Sequence, residues 1–345
     1  MAATRGKTGK FLAAGCLVGF AGIAMTFLFS SPERFWLNWI VWSLFLLTTG
    51  LGCLFIVALE HVVGARWSIP LRRIPERLSG LTLMMIPAVL IALASLNYLY
   101  PWTDPEVLEN PIVGGKEVWL NVPFFIARVV ACIALWALSY LIFVRGSIRQ
   151  DRHGDPRFNL RVRRFAPLFM FMFAITLTVV AFDWISSLEP IWYSDIFGVY
   201  LFTGSFLAGL AATTLAVLYL KTRGRLPAVR ADHIYNLGGF LFAFIVFWSY
   251  IGFAQYMLMW YANIPEEVFW YQARLSGGWG LLLLLDLYWM IFPTLEGPYV
   301  IGWQELSFAL LFIAAALLWI KRSMKHGEDM PVGDPMLREG LEFRL

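Results

Sequence analysis

Long apolar runs constrain this sequence more than any other feature. A run of about twenty apolar residues, wound as an α-helix, crosses the roughly 30 Å of hydrocarbon in a bilayer. Only 14% of the 345 residues are charged, against about 25% in a soluble domain. The runs predict an all-α, polytopic membrane helical bundle, since backbone groups in lipid must bond internally. The nine expected spans are 11–30, 36–59, 79–99, 119–144, 165–187, 195–220, 234–261, 278–293 and 300–320.

The polar loops are too short to form a soluble domain, so residues 1–345 are expected to form a single membrane domain. Lys and Arg are concentrated in alternate loops, and this asymmetry predicts which loops are cytoplasmic. The basic segments are 1–10, 60–78, 145–164 and 221–232. The formal net charge of +4 is therefore assigned to cytoplasmic loops beside lipid and not to nucleic-acid binding.

The alternation of charge fails near the end of the chain. The tail begins with Lys321, Arg322 and Lys325, which predicts a cytoplasmic tail. Nine spans from a cytoplasmic N-terminus would leave the tail on the opposite side. Either 278–293 is not a simple span or a helix is missing, and charge alone does not choose. We expect residues 1–10 and 321–345 to be cytoplasmic tails.

Residues 262–276 are expected to form an interfacial helix on the periplasmic side. Asn263 can cap such a helix, and Pro265 suits its first turn. Phe269, Trp270 and Tyr271 are of the types that anchor at membrane interfaces. The helix is therefore interpreted as a structural anchor.

Charged residues in or beside the outer halves of the spans are candidates for function, because burying charge in a membrane is costly. Arg128 lies about two turns below the outer end of the fourth span, and Asp183 ends the fifth. Their depths predict an ion pair, which either belongs to an outward proton or quinol path or locks two helices together. Glu189 follows in the same loop and is expected to reach water.

Three further residues complete the candidate proton pathway. Glu60 and His61 end the second span on the cytoplasmic side, where a titrating pair can load protons or can simply lie among headgroups. Asp286 lies deep in an apolar run, and burying its charge costs free energy if that run crosses the membrane. Carboxylates suit proton transfer because burial moves their pKa toward neutral pH.

The sequence contains no motif for a metal, haem, iron–sulfur or catalytic site. The histidines are not spaced as metal ligands, and the three cysteines form no haem or cluster motif. We therefore assign no metal and no catalytic residue. Gly15 and Gly19 form a GxxxG pattern that predicts a helix-packing face.

Several stretches together resemble the NrfD-like membrane subunits of bacterial alternative complex III, and among them the second such subunit. The resemblance covers nearly the whole chain. The stretches are LEHVVGARWSIPLRRIPE at 59–76, YPWTDPEVLEN at 100–110, KEVWLNVPFFIARVV at 116–130, FDWISSLEPIWYSDIFGVY at 182–200, NIPEEVFWYQARLSGGWG at 263–280, DLYWMIFP at 286–293 and PVGDPMLREGLEF at 331–343.

The resemblance implies ten helices, arranged as two four-helix bundles plus two peripheral helices. It implies a multi-pass protein of the bacterial inner membrane, with both termini cytoplasmic, in a complex that oxidises membrane quinol. The implied partners are the sister NrfD-like subunit, an iron–sulfur and molybdopterin-like subunit, and c-type cytochrome subunits. Haem c and iron–sulfur clusters belong to those partners. This chain is expected to hold no redox centre, although quinol (menaquinol) binding and proton translocation are open to it.

The chain departs from the family pattern after Gly280, where it runs almost directly into LLLLLDLYW. The resemblance therefore implies a missing segment of about one net span. Two other interpretations of the whole chain remain. One is a scaffold subunit without a site of its own, and the other is a free-standing secondary transporter.

Overall fold

A computed structural model describes residues 2–155, 157–282, 285–295, 301–325 and 328–344. This part of the chain folds into helices joined by loops. In chain order the helices are α1 (Ala2–Phe29), α2 (Pro32–Val63), α3 (Ile69–Leu99), α4 (Val122–His153), α5 (Arg157–Leu188), α6 (Phe197–Thr222), α7 (Ala231–Ala262), α8 (Pro265–Leu275), α9 (Asp286–Ile291), α10 (Trp303–Ser323) and α11 (Leu337–Glu342).

Eight of these helices are long and apolar enough to cross a membrane, counted over the described residues. They are α1 to α7 and α10, and they confirm the all-α polytopic fold. The run 278–293 does not form a ninth. Its described part has a 3-10 turn at Trp279–Leu282 and the short α9, which at about 1.5 Å per residue is far too short to span. Leu283 and Leu284 lie outside the described residues.

The count of eight removes the conflict over the tail. An even number of spans returns the chain to the side on which it began. Consistent with this, the start of α1 lies beside the end of α10, where a Cβ on Gly9 would be 3.0 Å from Lys321 Nζ. Below, the inner face is the side with the basic loops and the outer face is the opposite side. Residues 2–10, expected as a tail, continue α1, and residues 328–344 fold against the inner face.

A ring of four helices forms the centre of the protein. Helix α2 packs against α3 and α5, and α4 closes the ring between those two. On another side α2 packs against α6, and their backbones touch at Gly52 and Gly209, where a Cβ on Gly52 would lie 2.2 Å from the Ser205 carbonyl oxygen. This contact needs glycine on α2, because any side chain would force the two helices apart.

The other helices are more peripheral. The GxxxG face of α1 packs on α10 as expected, and a Cβ added to Gly19 would lie 2.6 Å from the Leu311 backbone nitrogen. Helix α7 packs mainly on α6, and the short α8 and α9 lie at its outer end. Most of α7 is exposed, so its apolar outer side has the character of a lipid-facing surface.

Helix α8 confirms the expected helix in 262–276, although its details differ. Asn263 does not cap it. With φ of 49° it adopts the left-handed conformation that ends α7. Trp270 and Tyr271 do not form an interfacial belt, because both are buried against the rest of the protein. The interpretation of these two residues as surface anchors was wrong, since hydropathy gives no information about which side of a short helix packs inward.

The glycine contact between α2 and α6 gives a stability prediction. Replacing Gly52 with Ala should lower the free energy of unfolding by about 1–3 kcal/mol, because the added Cβ overlaps the Ser205 carbonyl. Gly238→Ala on α7 is the matched control, since a Cβ there meets nothing within 4 Å. It should be neutral or stabilise by up to about 1 kcal/mol. Thermal unfolding in detergent compares the two, and equal melting temperatures would contradict the proposed contact.

Candidate functional site

The first candidate site is the ion pair between Arg128 of α4 and Asp183 of α5. Arg128 Nε donates to Asp183 Oδ2 at 2.6 Å, and Nη2 donates to Oδ1 at 3.0 Å. The Trp119 indole also donates to Oδ1, at 2.9 Å. The Trp119 and Phe124 rings lie 4.2 and 4.4 Å from the guanidinium carbon. The contact expected from depth is present, and both charges are buried and fully engaged.

Local helix geometry places Asp183 at this position. Residues Ala181–Ile185 form a π-helical turn within α5, the kind of bulge that often re-aims a side chain at a functional site. A second π turn, Leu141–Arg145, lies near the inner end of α4. At each end of the central ring, therefore, a π turn interrupts the regular α-helix close to candidate charged residues.

Glu189 does not join the Arg128–Asp183 pair and belongs to a second cluster. Arg274 of α8 approaches it with Nη1 and Nη2 both 3.3 Å from Oε1. Arg274 also donates to the Met290 carbonyl at 2.6 Å and lies 3.7 Å from the Trp270 ring centre. Burial raises the pKa of Glu189, although Arg274 opposes this. Burial likewise lowers the pKa of Arg274 to about 10, although Glu189 opposes that.

Asp286 is the third outer carboxylate and has no cationic partner in the described part of the chain. The Tyr200 hydroxyl of α6 donates to its Oδ1 at 2.5 Å, and the Trp248 indole of α7 borders the same space beside Gly204. A Cβ on Gly204 would lie 3.0 Å from Oδ2, so the glycine makes room for the carboxylate. The side chain is only half-buried.

An aromatic cavity of about 370 Å³ adjoins the Asp286 site. Its walls include Tyr200, the donor to Asp286, together with Trp248 and Gly252 of α7. The remaining lining residues are Ser249, Phe253, Tyr256, Tyr271, Leu275 and Trp289. This volume lies within the usual range for small-molecule sites, which are mostly apolar with a few polar groups. Among the described residues, no group of three His, Cys, Asp or Glu side chains is placed to hold a metal.

The two inner candidate residues, Glu60 and His61, contact different parts of the protein. Glu60 accepts from Arg72 Nη1 at 3.0 Å and is buried. The His61 ring instead stacks on Phe143, 6.2 Å between centroids. No hydrogen bond joins Glu60 to His61 in the described structure, so they do not form the titrating pair that adjacency in sequence suggested.

The C-terminal segment 328–344 completes the inner cluster. Arg72 bonds Asp334 as well as Glu60, and Asn159 donates to Asp334 at 3.2 Å. Asp329 accepts from Arg77 at 3.1 Å and from Arg225 Nε at 2.7 Å. Burial raises the pKa of Asp334, but the charge and hydrogen bond of Arg72 outweigh this, so the net pKa lies below the ordinary 3.8.

The inner and outer clusters are not joined by a chain of hydrogen bonds within the described residues. Between them the central ring is filled by apolar rings, including Phe55, Phe169 and Phe173. The Trp136 indole donates to Thr176 at 3.0 Å and is an isolated polar contact there. In this conformation, the described residues provide no hydrogen-bonded path between the two faces.

Sequence reasoning missed two polar features on the outer side. Glu305, at the start of α10, accepts from Arg34 at 2.8 and 2.9 Å and from Asn38 at 3.0 Å. Tyr200 lies in a stretch rich in aromatic residues, as much of the chain is, so nothing in the sequence marked it as a partner for Asp286. Arg34 is the one basic residue in the short link 31–35 between the first two expected spans, and it could have been singled out on that ground.

The helices and the buried ion pairs at both faces define a multi-pass integral membrane protein. No family model matches the sequence, and no curated protein is similar to it at a significant level. The finer identity implied by the resemblance therefore remains a proposal.

The Arg128–Asp183 pair gives a double-mutant prediction. Arg128→Gln should cost about 3–5 kcal/mol in the free energy of unfolding, because it leaves Asp183 buried without its cation. Arg128→Met combined with Asp183→Leu should recover most of that loss, since a buried ion pair is replaced by apolar side chains. Denaturant unfolding in detergent measures both. A double variant less stable than the single one would contradict this account.

The Asp334 contact gives a pH prediction for the C-terminal segment. A carboxyl whose folded pKa is depressed stabilises the fold above its unfolded pKa, and this stability is lost as the pH falls through the folded value. The protection factors of amides in 328–344, which are corrected for the intrinsic pH dependence of hydrogen exchange, should therefore fall as the pH drops below about 3.8. At neutral pH, Asp334→Asn should already raise exchange by about tenfold or more.

Glu339→Gln is the control for this experiment, because the Glu339–Arg66 pair lies in the same segment but is exposed. Exposed pairs contribute only about 0–1 kcal/mol, so exchange should change little. Equal acceleration in both variants would show that Asp334 has no special part in holding the segment.

Proposed function

We propose that this chain is an integral membrane subunit of a bacterial quinol-oxidising electron-transfer complex resembling alternative complex III. Its part in that complex is to support quinol chemistry and take up the protons released. The observation that carries the proposal is the Tyr200–Asp286 pair beside an aromatic cavity, about one to two turns below the outer end of α6.

The cavity suits binding of the quinol ring, and the carboxylate suits uptake of the protons that quinol oxidation releases. Oxidation of a quinol to a quinone releases two electrons and two protons. Aromatic side chains can stack on the ring. Asp286 would accept the two protons one after the other through the Tyr200 hydroxyl, and it would release the first to the outer side before it takes up the second. The electrons pass to haem c and iron–sulfur centres, which are assigned to partner subunits. Those partners are the sister NrfD-like subunit, an iron–sulfur and molybdopterin-like subunit, and c-type cytochromes.

The other candidate residues are assigned to the two ends of the proton route. Asp183 with Arg128, and Glu189 with Arg274, lie at the outer end, where released protons would reach the periplasm. Glu60 and His61 lie at the inner end. The absence of a hydrogen-bonded chain between these ends in the described residues favours outward release from Asp286 over transfer across the whole membrane. The proposed location is the bacterial inner membrane, with both termini cytoplasmic.

A scaffold role is the second candidate, and one observation favours it. The Arg128–Asp183 pair is satisfied by several donors and is packed between rings, as a structural lock would be. In a scaffold, changing the carboxylates would lower the yield of assembled complex without changing turnover per complex.

Turnover of the purified complex tests the proposal. Asp286→Asn should lower quinol oxidation by about 100-fold, the usual scale for loss of a proton acceptor, with the complex still assembled. Tyr200→Phe should give a smaller loss, because the carboxylate remains. Asp195→Asn on the same outer side is the control, since Asp195 is exposed and should leave turnover unchanged.

Normal turnover per assembled Asp286→Asn complex would contradict the proposed proton role. If that normal turnover came with a lower yield of complex, the scaffold role would be supported instead.

A further inference from the structure

The inner ends of α4 and α5 form a hairpin that carries seven arginines between residues 145 and 164. Six of them fall in two rows with helical spacing, one row on each helix. The rows are Arg145, Arg149 and Arg152, and Arg157, Arg161 and Arg164. Residues spaced by four and seven share one face of a helix. The two helices meet tightly, since a Cβ on Gly146 would lie 2.2 Å from the Phe158 ring.

These arginines differ from the other inner arginines because they form few ion pairs with carboxylates of the same chain. Arg72, Arg73 and Arg77 are buried and each bonds a carboxylate. All seven hairpin arginines are exposed. In the described part of the chain only Arg161 approaches a carboxylate, at 4.0 Å from Asp155, and that pair is largely exposed. The hairpin therefore presents a set of cations that the fold itself does not neutralise.

Helix length places this surface at the membrane boundary. Helices α4 and α5 each have 32 residues, or about 48 Å of helix, against roughly 30 Å of hydrocarbon. The arginines occupy the last two turns of α4 and the first two of α5. They consequently lie at the depth of the lipid headgroups and just beyond.

Apolar residues lie among the arginines on the same surface. Ile148 is 40% exposed and Leu160 is 61% exposed, and Leu168 continues the apolar stripe along α5. A surface that alternates guanidinium groups with aliphatic side chains matches a phospholipid, whose phosphate lies directly above its acyl chains. An acidic protein partner would need the cations but would not need apolar groups at the same depth.

We propose that this hairpin is a binding surface for anionic phospholipid headgroups of the inner leaflet. Guanidinium groups bind phosphate oxygens by paired hydrogen bonds, and basic residues beside a membrane helix attract anionic lipid. The site is independent of the quinol-related function, because it lies on the opposite face from Asp286.

The test is a titration of the purified protein with cardiolipin, followed by native mass spectrometry. Arg149→Gln, Arg152→Gln and Arg157→Gln together should weaken cardiolipin binding by about a hundredfold, at about fivefold for each arginine. The corresponding lysine variants keep the charge and should keep most of the affinity. Added salt should weaken binding to the unaltered protein.

The matched control neutralises three other exposed arginines on the inner face, with Arg223→Gln, Arg338→Gln and Arg344→Gln. This control should bind cardiolipin as the unaltered protein does. Equal affinity in the hairpin variant and the control would overturn the proposal. The proposal would also fail if the hairpin variant lost a partner protein while its cardiolipin affinity stayed the same.

Discussion

Burying charge next to lipid is costly, and the pairing of those charges is the constraint on which this structure depends. At the outer face Asp183 and Glu189 are neutralised by separate arginines, and at the inner face Glu60 and Asp334 share Arg72. Glu60 and Arg72 are only 12 residues apart, but the other three pairs join segments separated by 55, 85 and 262 residues. The apolar helices alone could slide or rotate against one another, because lipid is as apolar as their side chains. The ion pairs, with the glycine contact between α2 and α6, fix their register.

Asp286 is the exception to this pattern, and the proposed function rests on it. It accepts a hydrogen bond from the Tyr200 hydroxyl and, among the described residues, none from an arginine, and it is half-buried beside a cavity. A carboxylate held only by neutral donors can gain a proton without breaking an ion pair. Protonation of Asp183 would instead leave the buried Arg128 without its counter-charge. The two sites therefore differ in how readily they can gain a proton: Asp286 can do so without breaking an ion pair, whereas Asp183 can border the outer end of the proposed route but would lose its pairing with Arg128 if protonated.

The sequence predicted the fold class, the Arg128–Asp183 pair and nine spans, of which eight are present and 278–293 is not. These predictions were possible because hydropathy and charge are properties of single residues and depth follows from counting along a helix. The break in charge alternation also pointed to 278–293 as an unusual segment. The partners of Glu189, Asp286 and Asp334 could not be predicted, since each lies on a segment whose placement depends on tertiary packing. Helix α8 illustrates the limit: its existence followed from sequence, whereas the burial of Trp270 did not.

In the proposed function, Asp286 exchanges a proton during quinol oxidation. Infrared difference spectroscopy of the assembled complex, with and without quinol and with ¹³C-labelled aspartate, tests this most directly. The account predicts that quinol produces a protonated carboxyl band, that the label shifts it, and that Asp286→Asn removes it. A complex that turns over normally with no change in any aspartate carboxyl band would contradict the claim.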